Sequence, residues 1–460
     1  MTRGVLAVGA YAPANRVPAE AFEEAWGSFD APGVETKAVP DADEDALTMG
    51  VQAARRALRA GDTDGRDLEF LSFASTNPPL AEEDLTPRLG SYLAVPTDTT
   101  RRTHTGSTRA GAEALFDALE ADGPALVVVA DCPEGEPDDS REHAAGAGAA
   151  ALLVGDDAPA TVADHESFTD PRPGTRFRQR GSDDVDGLDI GTYDRAAFTE
   201  PVEAAVASIE ADDDFEAVAL QAPNGKLPYR TNLENEAIAA VETVSELGDT
   251  AAASVPLSLA RAFEEGHDRT LAVAWGSGAG ATAFLVEGTA PVEASLEGTN
   301  ELNYPGYLRR RGDIVGEKPD GGAAHVPVPT WRRSLPQRHR HESGVCPECG
   351  AVAFPPDGAC PGCRSLVEFD PVEPALEGTV DAATTIGQGG APPEFAEQQA
   401  RQGAFGVAVV RFEAGDGEVS LPMQVVGDGG AVGDTVRAVP RRVYVEEDVP
   451  RYGLKALPQD

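Results

Sequence analysis

Four of the five cysteines stand close together as Cys346-Pro-Glu-Cys349 and Cys360-Pro-Gly-Cys363, two CxxC pairs separated by ten residues. A CxxC turn aims both sulfurs at one point, and four thiolates at this spacing predict a closed tetrahedral site for structural zinc. A closed site leaves no position for substrate. The alternative, two disulfides or free thiols, fits paired knuckles less well. So short and loop-rich a segment buries little apolar surface, and metal binding would supply on the order of 10 kcal/mol of folding energy.

The second stretch with chemical potential is Thr105-Gly-Ser-Thr-Arg-Ala-Gly-Ala-Glu-Ala-Leu-Phe-Asp-Ala-Leu119. Small residues run into a helix there, so free backbone N–H groups and the helix dipole would face a ligand. A nucleophile at that point would be activated. Equally, Ser107 or Thr108 can serve as an N-cap. His104 lies four residues before Thr108, and Cys132 follows an apolar run. A third stretch, residues 304–341, is punctuated by Pro and Gly and carries Arg309, Arg310, Arg311, Arg332, Arg333, Arg338 and Arg340. It reads either as a linker docked on acidic surface or as a phosphate-binding edge, since arginine binds phosphate bidentately.

These groups need elements to hold them. Up to about residue 290, apolar or β-branched runs alternate with Ala-rich helical segments. The strands are GVLAVGA, LEFLSFAST, ALVVVAD and AAALLVG, and the helices DALTMGVQAARRALRAG and GSTRAGAEALFDALEADG. A second series follows: FEAVALQAP, one helix over NLENEAIAAVETVSELG, then PLSLARAFEEG and LAVAWGSGAGATAFLVEG. Two successive α/β halves predict layered sheets covered on both faces. The polar segment from Asp164 to Tyr193 between them reads as an excursion over the surface. Beyond the cysteines, ALEGTVDAATTI, AFGVAVVRFEAG, EVSLPMQVVG and DTVRAVPRRVYV read as short strands of a small barrel of the OB type.

Composition narrows the classes. The chain has 460 residues, 41% hydrophobic, and a formal charge of −41 from 78 acidic and 37 basic residues. Lys37, Lys226, Lys318 and Lys455 are its lysines; the other basic residues are arginines. An acid-rich, lysine-poor surface is expected of a soluble protein in a salt-saturated cytoplasm, where counterions screen self-repulsion. The charge opposes general binding of nucleic acid. No apolar run approaches the ~20 residues of a membrane span. The opening MTRGVLAVGAYAPANRV is too short for a signal peptide and reads as a first strand turning at Pro13. The expected location is the cytoplasm, with cysteines used for metal.

The matches DEDALTMGVQAARRAL, the helix after Thr108, GAGAAALLVG, QAPNGKLPY, LGDTAAASVPLSLARAF and WGSGAGATAFLV, in that order, resemble the thiolase superfamily, chiefly hydroxymethylglutaryl-CoA synthase and ketoacyl synthase III. The tail, through PTWRRSLPQR, CPECGAVAFPP, APPEF and YGLKALP, resembles zinc-ribbon/OB-fold proteins that accompany thiolases. The resemblance implies a duplicated αβαβα fold followed by a zinc ribbon and an OB-type barrel. It divides the chain into a thiolase-like domain over 1–300 (halves 1–163 and 194–300), an Arg-rich linker over 301–342, a ribbon over 343–366 and a barrel over 367–460. It also implies a homodimer formed through the large domain.

The same resemblance locates a reacting centre. Thr108, Gly111, Ala114 and Leu115 keep the family's nucleophile spacing, with Thr in place of Cys; Gln221 replaces the family's His, and Asp249 its Asn. No carboxylate stands near Ser75–Asn77, where a synthase-type Glu would fall. A condensation through an acyl-enzyme needs an activated nucleophile and a base, so the substitutions lead to the expectation of no catalytic residue. The expected function is then an acyl-CoA-binding or scaffold protein for a partner thiolase or synthase. The alternative is an active acyl-CoA condensing enzyme; a nucleic-acid-binding OB protein stands third, for want of exposed aromatics. CoA contacts are expected at Lys226, at the Gly276–Ser277–Gly278 turn, and at Arg332 and Arg333.

Overall fold

The run Ala125–Asp131 is buried along its whole length, and its alternate side chains enter two different cores. Val127 and Val129 belong to a central cluster, whereas Val128 lies on the opposite face against Gly50 and Phe73. A strand covered on both sides needs helices above and below its sheet. The computed structural model describes residues 3–210, 214–278, 280–315, 326–387, 391–427, 429–446 and 448–459. Lys318, part of the arginine-rich segment and Ala279 therefore lie outside the described residues. No described helix is long and apolar enough to cross a membrane.

The chain divides into two compact units, Met1–Asp41 with Asp45–Tyr307, and Ala42–Glu44 with Leu308–Asp460. The first contains β1 (Arg3–Tyr11), β2 (Phe70–Ala74), β3 (Thr100–His104), β4 (Ala125–Asp131), β5 (Gly148–Asp156), β6 (Ala160–Thr169), β7 (Ala217–Leu220), β8 (Arg269–Gly276) and β9 (Gly280–Glu287). They form one sheet in the order β7-β8-β9-β6-β1-β5-β4-β2-β3, with Val292–Ser295 added beside β1. The order shows a duplication. β1-β5-β4-β2 repeats as β6-β9-β8-β7, with the same alternation of pairings: β2 with β4 and β7 with β8 are parallel, the others antiparallel. β3 extends only the first half.

Helices α1 (Ala46–Ala60), α2 (Ala110–Glu120), α3 (Gly191–Val206) and α4 (Ser254–Glu265) complete the layers. α2 and α4 occupy equivalent places in the two repeats and share the central core, where Ala110, Ala114, Leu257 and Ala260 meet β4, β5, β8 and β9. Their alanines permit close approach. On the outer face of the second repeat, Phe198 and Val202 of α3 pack on Leu271, Val273 and Trp275. On the first, α1 lies so close to β1 that a Cβ at Gly9 would fall 2.1 Å from the Ala53 carbonyl oxygen. α1 begins with a capping box in which Asp45 and Thr48 satisfy each other's backbone N–H. One expectation fails: the helix over NLENEAIAAVETVSELG is two pieces, Asn235–Val241 and Val244–Leu247. Glu242 leaves the first piece in an extended conformation, within a β-branched run poorly suited to a helix interior.

In the second unit, Ser343–Val345 pairs with Val352–Ala353 and Asp370–Val372. Five strands, β10 (Glu377–Ile386), β11 (Phe405–Ala414), β12 (Gly417–Val425), β13 (Thr435–Glu446) and β14 (Val449–Pro458), close a barrel in the order β10-β11-β12-β14-β13. Inward positions alternate as the pleat requires: Ala408, Val410, Phe412 and Ala414 are buried while Val409 is exposed. Lys455 is buried on β14, its Nζ 2.7 Å from Asp43 Oδ2, and Arg441 on β13 lies 3.0 Å from Glu44 Oε1 and 3.5 Å from Asp43 Oδ1.

Burial pushes the Asp43 carboxyl up, but Lys455 and Arg441 outweigh it and hold it below the ordinary range. A depressed carboxyl contributes stability above its unfolded pKa of about 4 and loses it as pH falls through the folded value. Asp43→Asn should therefore cost the barrel unit about 3–5 kcal/mol at pH 7, and less in acid. Hydrogen exchange of β13 and β14 measures this; equal protection in variant and parent at pH 7 would contradict it.

Candidate functional site

The sequence-selected residues of the large unit lie just past the carboxyl ends of β2, β4, β7 and β8, where α/β sheets offer a crevice. Their shared anchor is the turn Ala251–Ala253 that leads into α4. Asp131, buried at the end of β4, accepts hydrogen bonds from Ser75 Oγ (2.8 Å), Thr76 N (2.7 Å), Asn77 N (3.1 Å) and Ala252 N (2.8 Å). Burial raises its carboxyl pKa, opposed by those donors, Ala252 N first. Asp249 Oδ1 accepts from Ala251 N at 2.9 Å, and Gln221 Nε2 donates to Ala251 O at 2.7 Å. Ala251 itself has φ +45°, a left-handed conformation costly for any residue with a Cβ. Two side chains thus hold one strained alanine, and Asp131 holds the residue after it.

Thr108 stands opposite. It is buried, its hydroxyl donating to Trp275 O at 2.6 Å and accepting from Ser277 N at 3.2 Å. One turn on, a Cβ at Gly111 would lie 2.8 Å from Ala252 O, so α2 approaches the turn where only glycine fits. Thr108, Gln221 and Asp249, spread over about 140 residues of sequence, are therefore brought to one place. Gln221 Oε1 is buried without a partner. Ser107 is only partly buried, and its Oγ accepts from Arg109 N at 3.3 Å.

A cleft of about 160 Å³ opens here, with Trp275 and Asp249 on its wall and Arg141, Arg176, Asp194 and Pro223 around it. Of the four aspartates lining it, Asp30, Asp189, Asp194 and Asp249, the last alone is buried. Arg176 pairs with Asp249, and Arg141 with Asp139 and Asp189. Arg176 and Arg178, which bonds Thr76 O, come from the segment read as a surface excursion. The segment is exposed or half-buried along its length except at Val185, and it also delivers charge to a buried carboxylate, which no local pattern in it announces. His104 lies 3.4 Å from Asp117 on α2. Burial, with Glu134 and Asp45 nearby, pushes the Cys132 thiol up, away from thiolate chemistry.

In the second unit, Cys346, Cys349, Cys360 and Cys363 place their sulfurs within 4.8 Å of one another. The two knuckles have one geometry: Cys346 N bonds Ala351 O and Gly350 N bonds Cys346 O, while Cys360 N bonds Ser365 O and Arg364 N bonds Cys360 O. The fifth position is left-handed in both, at Gly350 (φ +75°) and Arg364 (φ +66°).

No family model matches the chain. It is 30% identical over 328 residues to the hydroxymethylglutaryl-CoA synthase of Pyrococcus horikoshii, covering 67% of this chain and 92% of that protein. The chain belongs to the hydroxymethylglutaryl-CoA synthase family. It is also 32% identical over 301 residues to the synthase of Thermococcus gammatolerans, covering 62% of this chain and 85% of that one. The fold is similar to a crystal structure of an HMG-CoA synthase complexed with CoA, at a TM-score of 0.62 and 15% identity, over 71% of this chain and 95% of that one.

Membership of this family overturns the expectation of a carrier or scaffold without catalysis. That expectation rested on the replacements at Thr108, Gln221 and Asp249 and the missing carboxylate near Ser75–Asn77, whereas the match to synthases spans nearly their full length. Nucleophile and base are chemical roles that hydroxyls, thiols, carboxylates and imidazoles all fill, so three substitutions do not by themselves retire a site. Lys226 is exposed on a turn whose Asn224 side chain accepts from its N–H at 2.9 Å. Gly276 is buried beside Ser107, and Gly278 is exposed with φ +98°. Arg332 and Arg333 are exposed on the helix Val328–Arg333.

Thr108→Val would leave the Trp275 carbonyl and the Ser277 N–H unanswered, at a cost of about 1–3 kcal/mol, while Thr108→Ser keeps both bonds. Denaturant unfolding of the three proteins should rank them parent, Ser, Val. A Val variant as stable as the parent would show that this hydroxyl is not a structural tie.

Proposed function

We propose that the chain is an active acyl-CoA condensing acyltransferase of the hydroxymethylglutaryl-CoA synthase type. The observation that carries the reading is the match over nearly the whole length of synthases bearing that name. In the reaction an acetyl thioester passes its acyl group to the enzyme, freeing CoA. The acetyl α-carbon loses a proton and adds to the ketone of acetoacetyl-CoA, the new alkoxide takes up a proton, and water releases the product. Thr108 commits its hydroxyl to the Trp275 carbonyl, which leaves Ser107 at the start of α2 as the acyl acceptor. Asp249, the buried carboxylate of the cleft, takes the α-proton, and Arg176 balances its charge. The CoA moiety is assigned to Lys226 and the turn at Gly276, Ser277 and Gly278, where a cation and backbone N–H groups meet phosphate.

The four cysteines are assigned to one structural zinc. A tetrahedron with Zn–S of about 2.3 Å has sulfurs about 3.8 Å apart, and the Cys346–Cys363 and Cys349–Cys360 pairs stand at 3.8 and 3.5 Å. Zinc here supplies folding energy and no chemistry. On this reading residues 343–366 are a zinc ribbon, 367–460 an OB-type barrel, and the acid-rich surface suits assay in molar salt.

Purified protein given acetyl-CoA and acetoacetyl-CoA in molar salt should form hydroxymethylglutaryl-CoA. Asp249→Asn should lower kcat by about 10²–10⁴-fold, and Ser107→Ala should abolish the acetyl adduct seen by mass spectrometry. Absence of turnover by folded parent at every salt concentration would remove the proposal. Lys226→Ala should raise KM for CoA substrates; unchanged KM would mean the CoA site lies elsewhere.

For the metal, elemental analysis should find one zinc per chain. The Cys349→Ser/Cys360→Ser double variant should lose it together with the fold of the second unit, and full occupancy in that variant would refute the four-thiolate assignment.

A further inference from the structure

The second unit holds a cavity of about 350 Å³ to which the condensation assigns no role. Phe354, Leu421, Met423, Val443 and Leu454 give it apolar walls, and Arg338 lines one side. The Arg338 guanidinium is half-buried and stacks on Trp331 with Cζ 3.8 Å from the ring centroid. Its Nε donates to Ser334 Oγ at 2.8 Å. Among the described residues no carboxylate stands within ion-pair distance of it. Arg451, on the same indole at 5.2 Å, has Glu446 at 3.2 Å, and Lys455, also on the wall, is engaged by Asp43.

A desolvated cation is costly unless an anion answers it. In a chain with 78 acidic residues against 37 basic, a half-buried arginine lacking an acid is out of keeping with its surroundings. Its burial, and the cation of Arg451, make the charged form less favourable. Gln424 Oε1, at the same cavity, is likewise buried without a partner. A volume of this size lies at the small end of small-molecule sites, which pair apolar walls with a few placed polar groups.

We propose that this cavity binds a small amphipathic anion, an alkyl carboxylate or alkyl phosphate, whose head pairs with Arg338 and whose chain lies against Phe354, Leu421, Met423 and Leu454. Arginine presents two parallel N–H donors to either head group. The site is separate from the cleft of the large unit and does not depend on the condensation reading.

The test is calorimetry on the full chain with octanoate, octyl phosphate and 1-octanol at fixed salt, with Trp331 emission as a second readout. Octanoate or octyl phosphate should bind at least tenfold more tightly than octanol, and the stronger of the two identifies the head group. Arg338→Gln should weaken that ligand at least tenfold, Arg338→Lys less, and Met423→Trp should block it by filling the cavity. Condensation should be unchanged in all three variants. Should a variant fail to fold, the comparison of anion with alcohol on the parent protein still decides. No binding of either anion, binding equal to that of octanol, or undiminished binding by folded Arg338→Gln and Met423→Trp would overturn the proposal.

Discussion

The geometry of the large unit's cleft depends on one strained residue. Ala251 adopts a left-handed backbone, and its N–H and carbonyl are held by Asp249 and Gln221 while Asp131 holds the next N–H. A conformation of this kind persists only where its surroundings over-determine it. Here the ties come from the ends of β4 and β7 and from the loop before α4, so both sheet repeats converge on one turn. The same ties fix the start of α4 relative to α2, which Gly111 allows to come within contact of Ala252. Gln221 and Asp249, positions that look like losses of catalytic groups, are in this fold the residues that hold this turn.

Buried charge is used sparingly, and lysine is the marker. Two of the three lysines among the described residues are internal: Lys37 lies 2.6 Å from Glu142 Oε1 and 3.1 Å from the Tyr307 hydroxyl, and Lys455 meets Asp43. Each ammonium donates to a carboxylate, and that of Lys37 also to the Glu142 carbonyl and the Tyr307 hydroxyl, as burial demands. Elsewhere the cation of choice is arginine, whose planar fork serves both exposed pairs and the partly buried Arg176–Asp249 bridge. Against that background, Arg338 differs in having an aromatic ring and an apolar cavity beside it but no acid.

Several features were legible in the chain itself. The continuous apolar runs of the large unit's strands, the break at each glycine after α1 and α4, and the paired CxxC knuckles are local matters: each depends on residues a few positions apart, and local sterics and hydrophobic patterning fix them. The gathering of Thr108, Gln221 and Asp249 at one place was legible too, through the order and spacing of motifs rather than through any single residue.

What the sequence determined, then, was which elements form, that the chain carries two α/β halves and a barrel, and where four thiols converge. Tertiary structure decided the rest, because it depends on contacts between distant residues. Only the fold shows that Arg176 leaves a polar loop to neutralise Asp249, that the Thr108 hydroxyl is spent on Trp275, and that Asp131 is a structural tie. It also decided that Glu242 and Thr243 interrupt a segment whose periodicity reads as one helix. The strongest departure concerned function: the substituted positions, read together, suggested a carrier or scaffold, whereas 67% of the chain matches a hydroxymethylglutaryl-CoA synthase over 92% of its length. Side-chain identity names the available reagents, but the contacts around each side chain determine which of them remain free to react.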